Sequence, residues 1–330
     1  MAPSYAVLFK VHFWDDFTRR QLARLSRRAD AGQIYVVVDE SLGEAGVIEV
    51  ENVIRIGRED FAALGLLEVT TQGSVIWYNT DYPHYIALSR LPDYEFYVCV
   101  EFDAVVNIDI DRLVAALDGL GVDYLGWPIR KQAAEWPWYK MHIGIYGPEM
   151  LVYLSCFSVF SARALRLLLE RRQAMGQEFL HGILEFWPNN EAFLPNESVR
   201  SGLKIADLSD FAVTDLFDWW PPLEEADPLI ALEGHVIHPV LNGIRYVRSI
   251  VHHEPVLSSF VRTGSLLRRK LRAIDVPGKR LILMAELWRR GRARLNRGMG
   301  RMGLKPQWFS NAKPGTAQFR QTRSPHNAAE

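Results

Sequence analysis

The chain has 330 residues, of which 48% are hydrophobic and 23% are charged, and its formal net charge is −1. This length and composition allow a sizeable core, in one large domain or in one domain with an appendage. Two cysteines, Cys99 and Cys156, exclude a disulfide framework and a cysteine-based zinc site, and they favour a reducing compartment. No apolar run reaches the ~18–20 residues of a transmembrane helix, and residues 1–10 lack a basic leader, so we expect a cytoplasmic protein.

Residues 1–100 alternate predicted strands with predicted helices. Strands are expected at 5–12, 34–38, 53–56 and 94–101, and helices from Asp15 or Asp16 to about 29, at 59–67 and at 82–90. The run 34–38 is apolar and mostly β-branched, which is typical of a parallel strand covered on both faces. The alternation predicts an α/β fold with a mostly parallel, Rossmann-like central sheet flanked by helices.

The next 150 residues continue the alternation around one long loop. Helices are expected at 109–117, at 162–175 and within 187–195, and strands at 124–127, 152–160 and 203–208, before the body closes near 234–240. The loop, at 128–148, is rich in Trp, Tyr, Pro and Gly. A loop of about twenty residues without periodicity is usually functional or disordered, and its aromatic residues argue against disorder.

Two carboxylates stand where the buried strand at 94–101 ends. Side chains at i and i+2 of a strand point to the same side, so Glu101 and Asp103 are expected to lie together. Ligands of open α/β sheets bind beyond the carboxyl ends of the strands, and carboxylates there suit a hard divalent cation. The alternative is a strand end that is simply solvated.

Other polar residues follow strands or open helices farther along the chain: Asp39, Glu191, Glu197, His235 and His238. Each has a structural alternative, as a turn residue, as a helix N-terminal acid favoured by the macrodipole, or as a hydrogen-bonded histidine. Their order along the chain is more informative than any one of them.

In that order the chain resembles the GT-A glycosyltransferases, which use nucleotide sugars, over roughly residues 5–250. Glu101-Phe-Asp103 resembles the Asp-x-Asp motif of that family, with Glu in place of the first Asp. The segment from Trp77 into the following helix resembles the stretch that precedes the motif, and Asn190 to Glu197 resembles the acceptor-side segment.

The resemblance implies a set of roles for these positions. Nucleotide-sugar binding would fall to Val11, His12, Asp39, Asn79, Asp81, Glu101 and Asp103. The metal, Mn²⁺ or Mg²⁺, would be held by Asp103 with His238 or His235. The catalytic base would be Glu191, which begins a helix and therefore fits better than Glu197. Trp136, Trp138 and Tyr139 could form an acceptor platform, since sugars stack on aromatic faces, or could simply anchor their loop.

The leading functional hypothesis is thus a metal-assisted, hexosyltransferase-like enzyme of polysaccharide biosynthesis. It would move a sugar from a nucleoside diphosphate sugar to a glycan, a lipid-linked sugar or another hydroxyl acceptor. One alternative is a catalytically silent nucleotide- or carbohydrate-binding protein on the same fold. A nucleotidyltransferase is a weaker alternative, because residues 10–16 contain no Gly for a phosphate loop.

The last third of the chain is basic. We expect the α/β domain to span residues 1–255, a basic helical extension 256–309, and a disordered tail 310–330. Leucines and arginines interleave over residues 262–297, which suits an anionic membrane surface and a peripheral place at the inner face of the plasma membrane. A packed helix with a solvated basic face and contact with nucleic acid are the alternatives.

Overall fold

The computed structural model describes residues 2–70, 74–129 and 133–301, so the predicted tail at 310–330 lies outside the described residues. The chain divides into two compact units. Among the described residues, the first runs to Phe217 and includes Glu233–Ile237, and the second comprises Asp218–Leu232 and residues 238–301.

The strands are β1 (Tyr5–Val11), β2 (Gln33–Asp39), β3 (Val53–Ile56), β4 (Phe96–Glu101), β5 (Val105–Val106), β6 (Tyr124–Pro128), β7 (Tyr153–Ser161), β8 (Ile205–Asp207), β9 (Leu223–Glu224), β10 (Val236–Ile237) and β11 (Val240–Leu241). The helices are α1 (Asp16–Leu25), α2 (Arg58–Ala63), α3 (Val75–Tyr78), α4 (Tyr82–Arg90), α5 (Ile110–Leu120), α6 (Tyr139–Tyr146), α7 (Ala162–Leu180), α8 (Asn190–Arg200), α9 (Gly243–His253), α10 (Ser258–Val261), α11 (Leu266–Ala273) and α12 (Lys279–Arg301).

A seven-stranded sheet in the order β3-β2-β1-β4-β7-β6-β8 forms the centre of the first unit. The pairs β1–β2, β2–β3, β1–β4 and β6–β8 are parallel, whereas β7 runs antiparallel to both of its neighbours. The predicted fold class, a mostly parallel sheet flanked by helices, is therefore confirmed. The reversed direction of β7 has no signal in its sequence, because a buried apolar strand has the same pattern in either direction.

Both faces of this sheet are covered, which explains why every residue of β1 is buried. Ala6 and Leu8 face one hydrophobic cluster, which includes side chains of α4 and α7. Val7 and Phe9 face the other, which includes side chains of α1 and α5. The alternation of β1 thus fixes which side chains reach each layer.

The chain turns into α1 directly after β1, and Asp15 caps that helix as predicted. The Asp15 carboxylate accepts hydrogen bonds from the backbone N–H groups of Phe17 and Thr18, and the Thr18 hydroxyl oxygen accepts one from the Asp15 N–H. This capping box ends β1 sharply and fixes the position of its last residues.

The prediction of an irregular loop over 128–148 is wrong, because α6 lies within it. Gly144 and the aromatic residues around it hide the helical periodicity. His142 of α6 is fully buried. Its Nδ1 lies 2.7 Å from the Trp138 carbonyl oxygen, and its Nε2 accepts the Asn189 backbone N–H at 2.8 Å. The ring therefore ties α6 to the residue that caps α8.

The second unit has its own small core of helices. Tyr246, Val247 and Ile250 of α9 pack with buried leucines of α11 and α12. Beside them β9 and β11 form a short parallel pair. Within the described residues, no helix is both long and apolar enough to cross a membrane.

Candidate active site

The carboxyl ends of β1 and β4 lie side by side and carry the predicted motif. Lys10 and Glu101 are register partners, and the Phe102 N–H donates to the Lys10 carbonyl oxygen at 3.1 Å. The Phe102 ring contacts His12, which is exposed, with ring centroids 5.1 Å apart. Glu101 and Asp103 therefore stand at the sheet edge where the parallel strands of this fold end, as predicted.

Lys10 is a member of this site that sequence reasoning missed. Its Nζ lies 3.3 Å from Glu101 Oε1, and its side chain is only 9% exposed, against 26% for Glu101. A charged residue at an inward position of a buried strand needs a partner, because an isolated buried charge is costly. The signal in the sequence was this single Lys among the apolar residues of β1.

Cys156 of β7 is a second buried group beside the predicted motif. Its Sγ lies within 4.8 Å of a Glu101 carboxylate oxygen. Burial raises the pKa of the Cys156 thiol well above its usual range, and the negative charges of Glu101, Asp103 and Glu191 raise it further, while Lys10 opposes them. Cys156 is therefore a buried, protonated thiol beside the motif carboxylate of Glu101.

Glu191 is held firmly at the start of α8. The Asn189 side chain caps the helix by accepting the Glu191 backbone N–H at 2.7 Å. The Trp136 indole N–H donates to Glu191 Oε2 at 2.8 Å. The Glu191 carboxylate is therefore oriented by a neighbouring side chain while lying in the first turn of a helix, where the macrodipole favours its charge.

Asp39 ends β2 at the same edge as Val11 and His12, because β2 runs parallel to β1. Its Oδ1 accepts hydrogen bonds from the backbone N–H of Ser41 at 2.9 Å and from the Ser41 hydroxyl at 2.6 Å. The carboxylate is half-buried, so it lies at the rim of the sheet edge rather than within the core.

Asn79 and Asp81 are both fully buried inside the first unit. The Asn79 amide donates to two backbone carbonyl groups, and its oxygen accepts the Trp187 indole N–H at 2.7 Å. Asp81 forms a bidentate ion pair with Arg172, with N···O distances of 2.7 and 3.2 Å. The structure thus places the polar groups of both residues in internal contacts.

Glu197 lies two turns along α8 from Glu191 and is 2% exposed. Its carboxylate pairs with Arg171 at 2.9 Å and with Arg200 at 3.0 Å. Both carboxylate oxygens are thus engaged by guanidinium groups, which restricts their approach to an acceptor hydroxyl. Of the two predicted bases, Glu191 is the one that lies among the site's other charges.

The two predicted metal-ligand histidines belong to different units. His235, in the first unit, has Nδ1 3.0 Å from the Glu233 carbonyl oxygen and Nε2 3.5 Å from Asp215 Oδ1. His238 lies in the second unit, where its Nδ1 donates to the Asp218 carbonyl oxygen at 2.7 Å. A carbonyl oxygen only accepts, so this bond fixes the proton on Nδ1 and directs the Nε2 lone pair away from it.

The predicted aromatic platform divides into two parts. Trp136 is 7% exposed, and its ring lies 4.8 Å from His142 between centroids, so it packs inside the unit while orienting Glu191. Trp138 and Tyr139 are half-buried, and Trp138 makes an edge contact with Tyr78 at 5.7 Å.

We expect His142 to make stability depend on pH. Burial lowers the pKa of the ring to about 4 from its ordinary 6.5. The folded state therefore favours neutral His142, so its contribution is complete above pH ~6.5 and is lost as the pH falls toward ~4. The shift corresponds to on the order of 3 kcal/mol.

The measurement is urea unfolding of wild type and His142→Gln across that pH range. The free energy of unfolding of the wild type should exceed that of the variant near neutral pH, and this difference should shrink as the pH falls. A constant difference between the two proteins would contradict the prediction.

No protein-family model matches the chain, and no curated protein is similar to it. Solved structures do match. Mouse xyloside xylosyltransferase 1, in its apo form, aligns over 68% of this chain and 88% of its own, with 12% identity and a TM-score of 0.41. A glycosyltransferase involved in glycosylation of the major capsid of PBCV-1 aligns over 72% and 92%, with 14% identity and a TM-score of 0.36. The galactosyltransferase LgtC, in complex with donor and acceptor sugar analogues, aligns over 71% and 86%, with 12% identity and a TM-score of 0.40.

All three of these similar proteins are glycosyltransferases.

Proposed function

We propose that the protein is a metal-assisted glycosyltransferase that moves a sugar from a nucleoside diphosphate sugar to a hydroxyl acceptor. The observation that carries this proposal is the position of Glu101-Phe-Asp103 at the carboxyl edge of the parallel strands, where Lys10 Nζ lies 3.3 Å from Glu101 Oε1 and Cys156 Sγ lies within 4.8 Å of a Glu101 carboxylate oxygen. Glu191, the proposed base, comes from a segment about 90 residues farther along a chain that resembles GT-A enzymes. One cluster would serve both the diphosphate and the acceptor.

The donor set fits a divalent cation. Carboxylate oxygens are the ligands that Mg²⁺ and Mn²⁺ take, and Glu101 and Asp103 supply them at the carboxyl end of β4. When bound, the cation would neutralise charge on the leaving diphosphate. Asp103 is the proposed principal ligand, with Glu101 beside it, and His238 or His235 remain the histidines proposed from the sequence.

Glu191 is the proposed base for a transfer that inverts configuration. The acceptor oxygen would attack the anomeric carbon, the bond from that carbon to the diphosphate oxygen would break, and the electron pair would leave with the diphosphate. The proton of the acceptor hydroxyl would pass to the Glu191 carboxylate, which Trp136 orients.

The finer parts of the proposal concern the partners. The acceptor would be a glycan or a lipid-linked sugar, with Trp138 and Tyr139 as the platform for it. Val11, His12 and Asp39 would line the nucleoside end of the donor site. The enzyme would act in the cytoplasm, peripherally at the inner face of the plasma membrane.

Calorimetric titration of the full chain with a panel of nucleoside diphosphates and nucleotide sugars, with and without Mn²⁺, tests this function. At least one nucleotide should bind, and Mn²⁺ should tighten its binding. Absence of nucleotide binding under both conditions would reject the proposal.

Trp136→Phe should reduce transfer by about ten- to a hundredfold, because a hydrogen bond to a charged acceptor contributes about 1.5–3 kcal/mol. Donor affinity should be unchanged, since Trp136 contacts Glu191 on the proposed acceptor side and an aromatic ring still occupies its position. The measurement is the single-turnover rate of transfer, with Trp219→Phe, whose side chain is 53% exposed in the second unit, as the control. Equal rates for wild type and Trp136→Phe would show that the indole does not orient the base.

A catalytically silent binding protein is the second candidate, and the Lys10–Glu101 ion pair favours it. A positive charge 3.3 Å from the motif carboxylate competes with a metal for it. Transfer or hydrolysis by the wild type that disappears in Glu191→Gln would rule this candidate out.

A further inference from the structure

Helix α12 has apolar side chains on two opposite faces. On one face Leu283 is buried against α9, and Ile282 and Leu287 pack on the same cluster. Arg290 lies on this face too, where it donates to the Val251 and His252 carbonyl oxygens at the end of α9, at 3.2 and 2.7 Å. This face therefore packs α12 into the core of the second unit.

The other face is an apolar stripe that is open to solvent. Its members are Leu281, Met284, Trp288 and Leu295, which are 70%, 64%, 73% and 67% exposed. Because each residue turns an α-helix by about 100°, these four side chains fall within an arc of about 60°. Large apolar residues on one exposed stripe mark a surface that binds a protein, a membrane or a ligand.

The surroundings of this stripe are cationic. Residues 262–301 contain thirteen Arg and Lys residues and two acids, Asp275 and Glu286. Hydrogen bonds from Arg289 and, to a smaller extent, from Arg290 lower the pKa of Glu286 to about 2. The negative charge of Glu286 is therefore balanced by arginines of the same helix. Arg280 and Arg294 are exposed on the same helix.

A shallow cationic groove adjoins the stripe within the second unit. It has a volume of about 570 Å³, and Arg248, His252, Arg289 and Glu286 line it together with Leu281 and Ile282, so that Arg248 is the lining cation left over after Arg289 pairs with Glu286. Its chemistry suits a phosphate group placed beside an apolar chain.

We propose that the exposed stripe of α12 inserts into the surface of an anionic lipid bilayer, with the flanking arginines and the groove contacting lipid phosphates. A stripe of leucine, methionine and tryptophan side chains bordered by arginines has the pattern of an interfacial helix. Nucleic acid would bind the arginines through its phosphates but would leave the apolar stripe exposed to water. A second copy of the chain would bring like charges together.

The test is flotation of the full chain with vesicles of phosphatidylcholine alone or mixed with phosphatidylglycerol. We expect binding only to the mixed vesicles. Met284→Glu/Trp288→Glu should weaken it about a hundredfold or more, because apolar burial is lost and negative charge is added near anionic lipid. Arg280→Ser/Arg294→Ser should weaken it about 25-fold, at roughly fivefold for each arginine.

The matched control is Leu180→Glu/Ile183→Glu, which adds the same charges at exposed leucine and isoleucine positions of the first unit. It should bind vesicles like the wild type. Lipids brominated on the acyl chain should quench the tryptophan fluorescence of the wild type more than that of Trp288→Phe. This difference would place the Trp288 ring in the bilayer.

Three results would overturn the proposal: equal binding to neutral vesicles, equal loss in the control, or loss of a dimer rather than of vesicle binding in Met284→Glu/Trp288→Glu. Binding of RNA that persists in this variant while vesicle binding is absent from the wild type would identify nucleic acid as the partner instead. Nucleotide titration of the same proteins is a separate readout, so failure here leaves the proposed enzyme activity standing.

Discussion

Glu191→Gln should lower the rate of sugar transfer by about 10²–10⁴-fold while leaving the dissociation constant of the donor within about twofold. Gln keeps the size of the side chain and can still accept the Trp136 hydrogen bond. It cannot take a proton from the acceptor hydroxyl. The measurement is the single-turnover transfer rate at saturating donor, paired with donor titration.

Glu149→Gln is the matched control, because Glu149 is an exposed carboxylate of the same unit. Its rate should equal that of the wild type. A Glu191→Gln enzyme that transfers sugar at the normal rate would remove Glu191 from the mechanism. If donor binding were lost together with the rate, Glu191 would belong to the donor site and not to the acceptor side.

Asp81→Ala should destabilise the protein by about 3–5 kcal/mol, because it leaves the Arg172 charge buried without its partner. Both side chains are fully buried, and two hydrogen bonds of 2.7 and 3.2 Å join them. Arg172 also donates to the Pro188 carbonyl oxygen at 2.8 Å and stacks on Phe193 at 3.6 Å, so it cannot turn toward solvent. Urea unfolding measures the loss.

Asp16→Ala provides the comparison, since Asp16 pairs with Arg19 at the surface and is 83% exposed. Its cost should be within about 1 kcal/mol. The double variant Asp81→Leu/Arg172→Met should recover much of the stability lost in Asp81→Ala, because it buries no charge. A cost for Asp81→Ala as small as that for Asp16→Ala would contradict the structural role, and the nucleotide-binding role predicted from the sequence would then become the better explanation.

Period-2 alternation and strand order were enough to predict the sheet edge at which these carboxylates lie. Parallel strands end at one edge of a sheet, so Asp39, Glu101 and Asp103 could be placed there from their positions alone. The alternation could not show that Lys10 faces Glu101, because the register between β1 and β4 is set across 91 residues of chain. The position of Cys156 beside Glu101 could not be predicted for the same reason.

The internal contacts of the polar segment before the motif could not be predicted, for a physical reason. Asn79 and Asp81 stand in a turn into a helix, where polar side chains usually face solvent or ligand. Their partners, Trp187 and Arg172, lie more than 90 residues away and have no local signature. A buried ion pair is therefore hard to tell from a binding motif in sequence.

The basic C-terminal part shows a similar limit. The interleaved leucines and arginines allowed either packing on the body or contact with a membrane, and periodicity alone cannot say which face a helix buries. The structure shows that α12 has one apolar face for packing and a second one exposed. The two interpretations were thus not exclusive, and the domain boundaries predicted at 255 and 309 remain predictions.

The most direct test of the proposed function compares Mn²⁺-dependent nucleotide binding in wild type, Asp103→Ala and Asp118→Ala, whose side chain is exposed on α5. Calorimetric titration with the best nucleotide of the panel should show that Mn²⁺ tightens binding in wild type and in Asp118→Ala. In Asp103→Ala the Mn²⁺ effect should disappear, because the proposed principal ligand of the cation is gone. An undiminished Mn²⁺ effect in Asp103→Ala would contradict a metal-assisted glycosyltransferase centred on Glu101-Phe-Asp103.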